Sequence, residues 1–192
     1  MNWMKKVAVA LVCLLPLGLQ AAKVDTLQVK SPSMNKSIEV VVVSPDVAAT
    51  KACPVIYLLH GYGGNARTWV GIKPDLSKIA DEKGIFFVCP DGKNTWYWDS
   101  PLNADVRYET FISDELVKYV DSHYKTVADR KGRAITGLSM GGHGAMWNGL
   151  RHSDVFSAAG STSGGVDIRP FPKNWEMSVQ IGEKAKYPEN WE

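Results

Sequence analysis

Three cysteines and four histidines are the only thiols and imidazoles in this chain of 192 residues, and neither kind is clustered. There is no C-x-x-C, no H-E-x-x-H and no run of His, Cys and Asp at ligand spacing, so neither a metal site nor any other cofactor is expected. A surplus of charge of one sign is also missing, with 22 basic side chains against 20 acidic ones. Nothing in that balance favours nucleic acid or an acidic surface as a partner. Low-complexity tracts and internal repeats are absent, and past the N-terminus no apolar run could cross a bilayer. What is present is ordinary globular material, 45% hydrophobic and 22% charged, in a length that suits one domain with a substantial core.

Residues 1–22 read as an address rather than as part of the fold. Lys5 and Lys6 make a positive start, Val7 to Leu19 is an apolar run interrupted by Pro16, and Gln20-Ala21-Ala22 offers small residues for cleavage. This is the pattern of a secretory signal peptide, and the run is too short and too weakly flanked for a stable span. Cys13 lies inside the run and follows Val12 rather than a small residue, which argues against lipid attachment. The expectation is an exported protein, periplasmic or extracellular, with no stable membrane anchor after cleavage and a single domain over 23–192. Losing Lys5 and Lys6 leaves basic and acidic side chains equal in number. Cys53 and Cys89 then sit in an oxidising compartment. Cys53 opens one β-rich run and Cys89 closes the next. In parallel neighbours the sulfurs would lie at opposite ends of the sheet, several residues apart at ~3.3 Å each, too far to bridge. Buried free thiols are expected. The sequence does not specify an oligomeric state.

The chain is organised around Ala134-Ile135-Thr136-Gly137-Leu138-Ser139-Met140-Gly141-Gly142-His143-Gly144-Ala145. Arg133 to Thr136 reads as a short strand and Met140 to His152 as a helix rich in small residues. The turn between them carries Gly137-x-Ser139-x-Gly141, the G-x-S-x-G nucleophile elbow. A serine at the tip of such a turn has a strained backbone and an exposed hydroxyl. A side chain in place of either glycine would strike the neighbouring strand or helix. The Met140 N–H, at the positive end of the helix, suits one half of an oxyanion hole.

The other parts fall into order around this element. Val24 to Val29 and Ile38 to Val43, joined by Ser31-Pro32-Ser33-Met34-Asn35-Lys36, read as an antiparallel hairpin at a sheet edge. Val55 to Leu59 is a continuous apolar run, a strand buried on both faces. It leads into His60-Gly61-Tyr62-Gly63-Gly64, a loop of the H-G-x-G-G type that leaves backbone N–H groups approachable, and the second oxyanion donor is assigned to the N–H of Tyr62. His60 is read as ordering this loop. Asp75 to Lys83 is a short amphipathic helix stopped by Gly84, and Ile85 to Cys89 is a further buried strand. Lys93 to Pro101 then sets Trp96, Tyr97 and Trp98 in a row without periodicity. That loop is either a lid over the core or a wall contacting an acyl or sugar group, with Trp96, Trp98 and Asp99 as substrate-binding candidates. Asp99 could equally hold the wall in place. Tyr108 to His123 carries a helical stripe. His143, one helical turn past Ser139, is assigned to packing. Val155 to Gly160 reads as another strand, with the small-residue loop Ser161 to Gly165 facing the site, and Arg169 to Glu192 holds at most one short helix.

With H-G-Y-G-G, W-Y-W-D-S, Y-E-T-F-I-S-D-E-L and G-L-S-M-G-G-H-G-A in this order, the chain from about Val24 onward resembles the esterase family of α/β-hydrolases. That family includes S-formylglutathione hydrolase (esterase D), feruloyl and acetyl esterases, and mycolyltransferases. The resemblance implies a three-layer α/β-hydrolase sandwich with a mostly parallel sheet. It implies Ser139 as catalytic nucleophile, and Tyr62 and Met140 as the oxyanion hole. It also implies an acid and a histidine, in that chain order, after the serine. Here the sequence departs from the family, because Asp154 and Asp167 are available but no histidine follows His152. The family's acid, histidine and last strands would fall beyond Glu192, so the fold is expected to be incomplete at its C-terminal end. The implied function is an exported serine esterase acting through an acyl-enzyme on acyl or feruloyl esters of carbohydrates, a small-molecule or polysaccharide substrate. Acyl transfer and an S-formylglutathione hydrolase-like thioesterase are the nearest alternatives. A non-catalytic carbohydrate-binding module on a degenerate scaffold is the alternative of another class.

Overall fold

A computed structural model describes residues 22–192; the signal-peptide expectation lies outside the described residues except for Ala22. Strands β1 (Lys23–Ser31) and β2 (Lys36–Ser44) form the expected hairpin, paired antiparallel from Lys23↔Ser44 to Ser31↔Lys36. β3 (Val55–Leu59), β4 (Phe86–Pro90), β5 (Arg133–Leu138) and β6 (Ala158–Thr162) complete a six-stranded sheet in the order β1-β2-β4-β3-β5-β6. The hairpin joins through an antiparallel β2–β4 pair, and every pair from β4 to β6 is parallel. Helices α1 (Thr68–Ile72) and α2 (Leu76–Lys83) cover one face; α2 ends at Gly84, whose φ of 63° is the left-handed stop read from the sequence. On the other face α3 (Tyr108–Thr110) runs through one π-helical turn at Phe111–Glu115 into α4 (Leu116–His123), beside α5 (Met140–Arg151).

The continuous apolar strands are explained by this sandwich. Tyr57 and Leu59 face the α4–α5 layer with Val55, while Leu58 joins Val41, Val43, Phe87, Leu76 and Ala80 on the α1–α2 layer. The cysteines divide the same way. Cys53 belongs to the first cluster and Cys89 to the second, and Val55 pairs with Phe86, which places Cys89 well up the sheet from Cys53. Both are free and buried, as the geometry requires.

The last strand corrects the sequence reading. It begins at Ala158, not Val155. The N–H groups of Val155 and Phe156 both donate to the His152 carbonyl, closing the end of α5. Phe156 turns into the core, edge-on to Tyr57 at 5.7 Å, which a strand continuing from Val155 would prevent. Among the described residues β6 pairs with β5 only, and its residues are exposed except for the half-buried Gly160. Downstream lie the short helix α6 (Met177–Ile181) and a 3-10 turn at Pro188–Trp191. Among the described residues no helix is long and apolar enough to cross a membrane.

Because β3, β4, β5 and β6 run parallel, their carboxyl ends open on one side of the sheet. The loops that follow, beginning at His60, Asp91, Ser139 and Ser163, share that side, the crevice in which open α/β sheets hold ligands.

Candidate active site

Ser139 occupies the turn between β5 and α5 with φ 54° and ψ −117°, a region that costs a residue with a Cβ of order 1–3 kcal/mol. Its N–H donates to the Thr162 carbonyl at 2.8 Å, tying the elbow to the end of β6. The neighbouring glycines are forced by close approach. A Cβ on Gly137 would lie 2.2 Å from the Gly141 carbonyl oxygen, and one on Gly141 would lie 2.2 Å from that of Leu59. The 60–64 loop lies against the elbow; a Cβ on Gly61 would be 3.5 Å from that of Ser139.

A cleft of about 260 Å³ is lined by Tyr62, Trp96, Ser139, Met140, Ser163, Gly164, Gly165 and Trp175. Among the described residues neither the Tyr62 nor the Met140 backbone N–H has a protein acceptor, so both are available to a ligand oxygen. The sequence candidates separate here. Trp96 walls the cleft with Ser139. Trp98 stands behind it, stacked on Trp96 at 5.6 Å and 3% exposed. The Asp99 carboxylate is spent on Thr110, accepting from its N–H at 3.0 Å and its hydroxyl at 2.6 Å. Trp98 and Asp99 line a separate cavity of about 480 Å³ with His143 and Trp147, and Ser139 is not in its wall. Trp175, half exposed at the mouth of the Ser139 cleft, was not found from sequence; it sits in a non-periodic segment with no local signal. The Tyr62 phenol is pushed up from its usual range by the neighbouring Glu176 carboxylate, and then by burial.

All four histidines can be located. His60 is buried, donates from Nδ1 to the Gly61 carbonyl at 2.8 Å and accepts at Nε2 from the Gly92 N–H at 2.9 Å, so it clamps the 60 loop to the 91 loop. Its Nε2 is farther, 3.5 Å, from the Asp91 carboxylate. Burial would raise Asp91, but the ammonium and the N–H of Lys93, both on its carboxylate, outweigh it and hold the carboxyl well below the usual range. His143 donates from Nδ1 to the Gly165 carbonyl at 2.7 Å and accepts at Nε2 from the Trp98 indole at 2.8 Å. His152 sits on Glu109 at 2.9 Å, about 20 Å along α5 from Ser139. His123 stacks on Tyr119 at the surface. Both ring nitrogens of His60 and of His143 thus already have partners other than Ser139. Glu109, quoted from the sequence only as part of Y-E-T-F, is the hub behind α5: it also accepts from Trp147 and Arg151. Burial raises its carboxyl, and those donors with His152 more than offset this and lower it.

Burial lowers the pKa of His143 against the opposing effect of the Gly165 carbonyl, which gives a pH dependence. Below the unfolded value of about 6.5 the unfolded chain binds a proton that the folded ring refuses. Stability is therefore expected to fall as pH drops through that value, until the lowered folded pKa is reached. The carboxyls of Glu109 and Asp91, also lowered, withdraw their contributions only further down, as pH falls through their folded values. Urea unfolding between pH 5 and 8 checks this, and His143→Asn, which does not titrate, should flatten the slope.

Among the described residues no three His, Cys, Asp or Glu side chains come together as a metal site. Comparison with known proteins agrees with the geometry. Esterase Rv1288 of Mycobacterium tuberculosis is 31% identical over 149 residues, 74% of this chain and 32% of that protein. An acetyl esterase of Caldicellulosiruptor saccharolyticus is 31% identical over 102 residues, 53% of this chain and 37% of that protein. The chain thus spans about a third of the length of these curated relatives. A solved ferulic acid esterase superposes with a TM-score of 0.71 at 30% identity, covering 90% of this chain and 70% of that one. An S-formylglutathione hydrolase from Agrobacterium tumefaciens, 21% identical, shares the fold with a TM-score of 0.73 over 90% of this chain and 69% of that one. Residues 31–191 match the family model described as Putative esterase, and with its sheet order and elbow the chain belongs to that family of α/β-hydrolases.

Proposed function

We propose that the chain carries the nucleophile and oxyanion hole of an exported serine esterase that cleaves carboxylic esters through an acyl-enzyme. The observation that carries this is Ser139 itself, held at φ 54° in a cleft beside the unengaged N–H groups of Tyr62 and Met140. In the reaction Oγ attacks the ester carbonyl, the two N–H groups hold the tetrahedral oxyanion, and the bond to the alcohol breaks as the alcohol leaves with a proton. Water then cleaves the acyl-serine and releases the acid. The N-terminal export pattern, the aromatic wall and the acetyl and ferulic acid esterases among its relatives support acyl or feruloyl esters of carbohydrates as substrate. Acyl transfer differs only in an alcohol replacing that water, and thioester cleavage only in the leaving group.

The placement of the four histidines favours one reading of another class, a carbohydrate-binding module without catalysis. Added imidazole separates the two, because a small base in solution can occupy the room beside Ser139 that no histidine of this chain fills. The purified chain is treated with a fluorophosphonate and weighed intact. An oxyanion hole alone retains roughly 10³–10⁴-fold acceleration over water, so slow labelling at Ser139 is expected, rising with imidazole. A folded chain that stays unlabelled with imidazole, yet binds glycans, makes the binding module correct.

A further inference from the structure

The segment 163–176 is largely exposed, has no helix or strand, and still supplies four walls of the Ser139 cleft, Ser163, Gly164, Gly165 and Trp175. Its backbone turns through the left-handed region at both ends, at Ser163 (φ 53°) and at Trp175 and Glu176 (φ 48° and 54°). Its internal hydrogen bonds are local, such as Val166 N–H to the Gly164 carbonyl and Phe171 N–H to that of Ile168. Two buried rings reach it from the body of the domain. Trp96 donates its indole N–H to the Trp175 carbonyl at 3.1 Å, and His143 donates Nδ1–H to the Gly165 carbonyl at 2.7 Å.

His143 is set up for this by its surroundings. The rings of Trp96 and Trp98 stand edge-on to it at 5.2 and 5.1 Å, and Trp147 lies parallel at 6.2 Å. The Trp98 indole N–H donates to Nε2 at 2.8 Å. A nitrogen that accepts there carries no proton, so the proton is confined to Nδ1, on the side of Gly165. The backbone it holds is also close. A Cβ on Gly164 would lie 2.7 Å from the Gly142 carbonyl carbon and 2.8 Å from the backbone nitrogen of His143, so the segment has no slack against the first turn of α5.

We propose that His143 is a positioning residue, a latch that holds 163–165 against the nucleophile helix and so shapes the cleft wall facing Ser139. The role rests on the reading of Ser139 as the reaction centre, but the latch itself is testable without any chemistry at the serine.

The test compares His143→Ala, His143→Asn and His143→Gln by hydrogen exchange of the whole chain. Asparagine places an N–H donor near the position of Nδ1, whereas glutamine places its amide near Nε2. Exchange of the Val166, Phe171 and Asn174 amides is expected to rise at least tenfold in the alanine and glutamine variants and to return toward wild type in the asparagine variant, with β3 and β5 unchanged. Imidazole-assisted labelling of Ser139 should run the opposite way, falling in the alanine and glutamine variants and recovering in the asparagine variant. Unchanged exchange in 163–176, or an asparagine variant as fast as the alanine one, overturns the latch. Should His143→Ala fail to fold, the contrast between asparagine and glutamine decides it alone. If exchange behaves as expected while Ser139 never labels in any variant, the latch stands and the esterase reading fails. Labelling that proceeds with exchange unaffected has the reverse meaning.

Discussion

Gly141→Ala is expected to leave little folded protein. The added methyl would sit 2.2 Å from the Leu59 carbonyl oxygen and 2.6 Å from that of His60. These are backbone atoms at the end of β3, which is paired to β4 on one side and β5 on the other. No flexible side chain can give way, so either α5 lifts off the sheet or β3 leaves its ladder. Either response costs more than about 4 kcal/mol, the upper range for a single substitution, against a total of about 5–15 kcal/mol for a domain. Circular dichroism and thermal unfolding of the purified variant measure it. Gly71→Ala is the control: nothing lies within 4 Å of a Cβ there, so a change of at most about 1 kcal/mol, toward greater stability, is expected in α1. A Gly141→Ala protein as stable as wild type would mean that α5 and β3 make room for the methyl at little cost.

That glycine also shows how far the sequence reaches. Gly137, Ser139 and Gly141 could be read together because the constraint is local: a strand, one sharp turn and a helix within a few residues fix which positions tolerate a side chain. Val55 to Leu59 was legible for a similar reason, since a run apolar on both faces needs layers on both sides. The start of β6 was not. Val155 and Phe156 have strand propensity, but the end of α5 captures both their N–H groups at His152 and the core takes the Phe156 ring. Tertiary packing overrides propensity there. The cleft wall was half legible. Trp96 stood out as one of three consecutive aromatics, whereas nothing near Trp175 marks it as a neighbour of Ser139. Trp98 and Asp99, drawn from the same conspicuous loop as Trp96, serve the wall from behind. Trp96 and Tyr97 both adopt φ 61°, and two successive left-handed residues turn side chains adjacent in sequence toward different places. His60 was read as ordering its loop, as it does, whereas His143 was read as packing alone, because its role depends on what each ring nitrogen meets. His60 and His143 are both spent on holding loops, one between the 60 and 91 loops and one on Gly165.

The strain at Ser139 carries the other large effect. Ser139→Ala and Ser139→Gly both remove Oγ, and both are expected to abolish fluorophosphonate labelling, with or without imidazole. Their stabilities should differ. Alanine keeps a Cβ and therefore keeps the cost of φ 54°, ψ −117°. Glycine has no Cβ and adopts that region freely, which releases about 1–3 kcal/mol of strain. Part of the gain is offset by about 0.4–1 kcal/mol, because glycine also loosens the unfolded chain. The net expectation is a Ser139→Gly protein about 1 kcal/mol more stable than Ser139→Ala, measured by urea unfolding at one pH. Equal stabilities would mean that the turn is relaxed with a side chain in place. A more stable glycine variant would mean that the fold spends stability to keep a side chain at the elbow. A loop that only joined a strand to a helix would have no reason to carry that cost, since glycine would serve it better, and the residue that makes the position costly is also the one that puts a hydroxyl into the cleft beside Tyr62 and Met140.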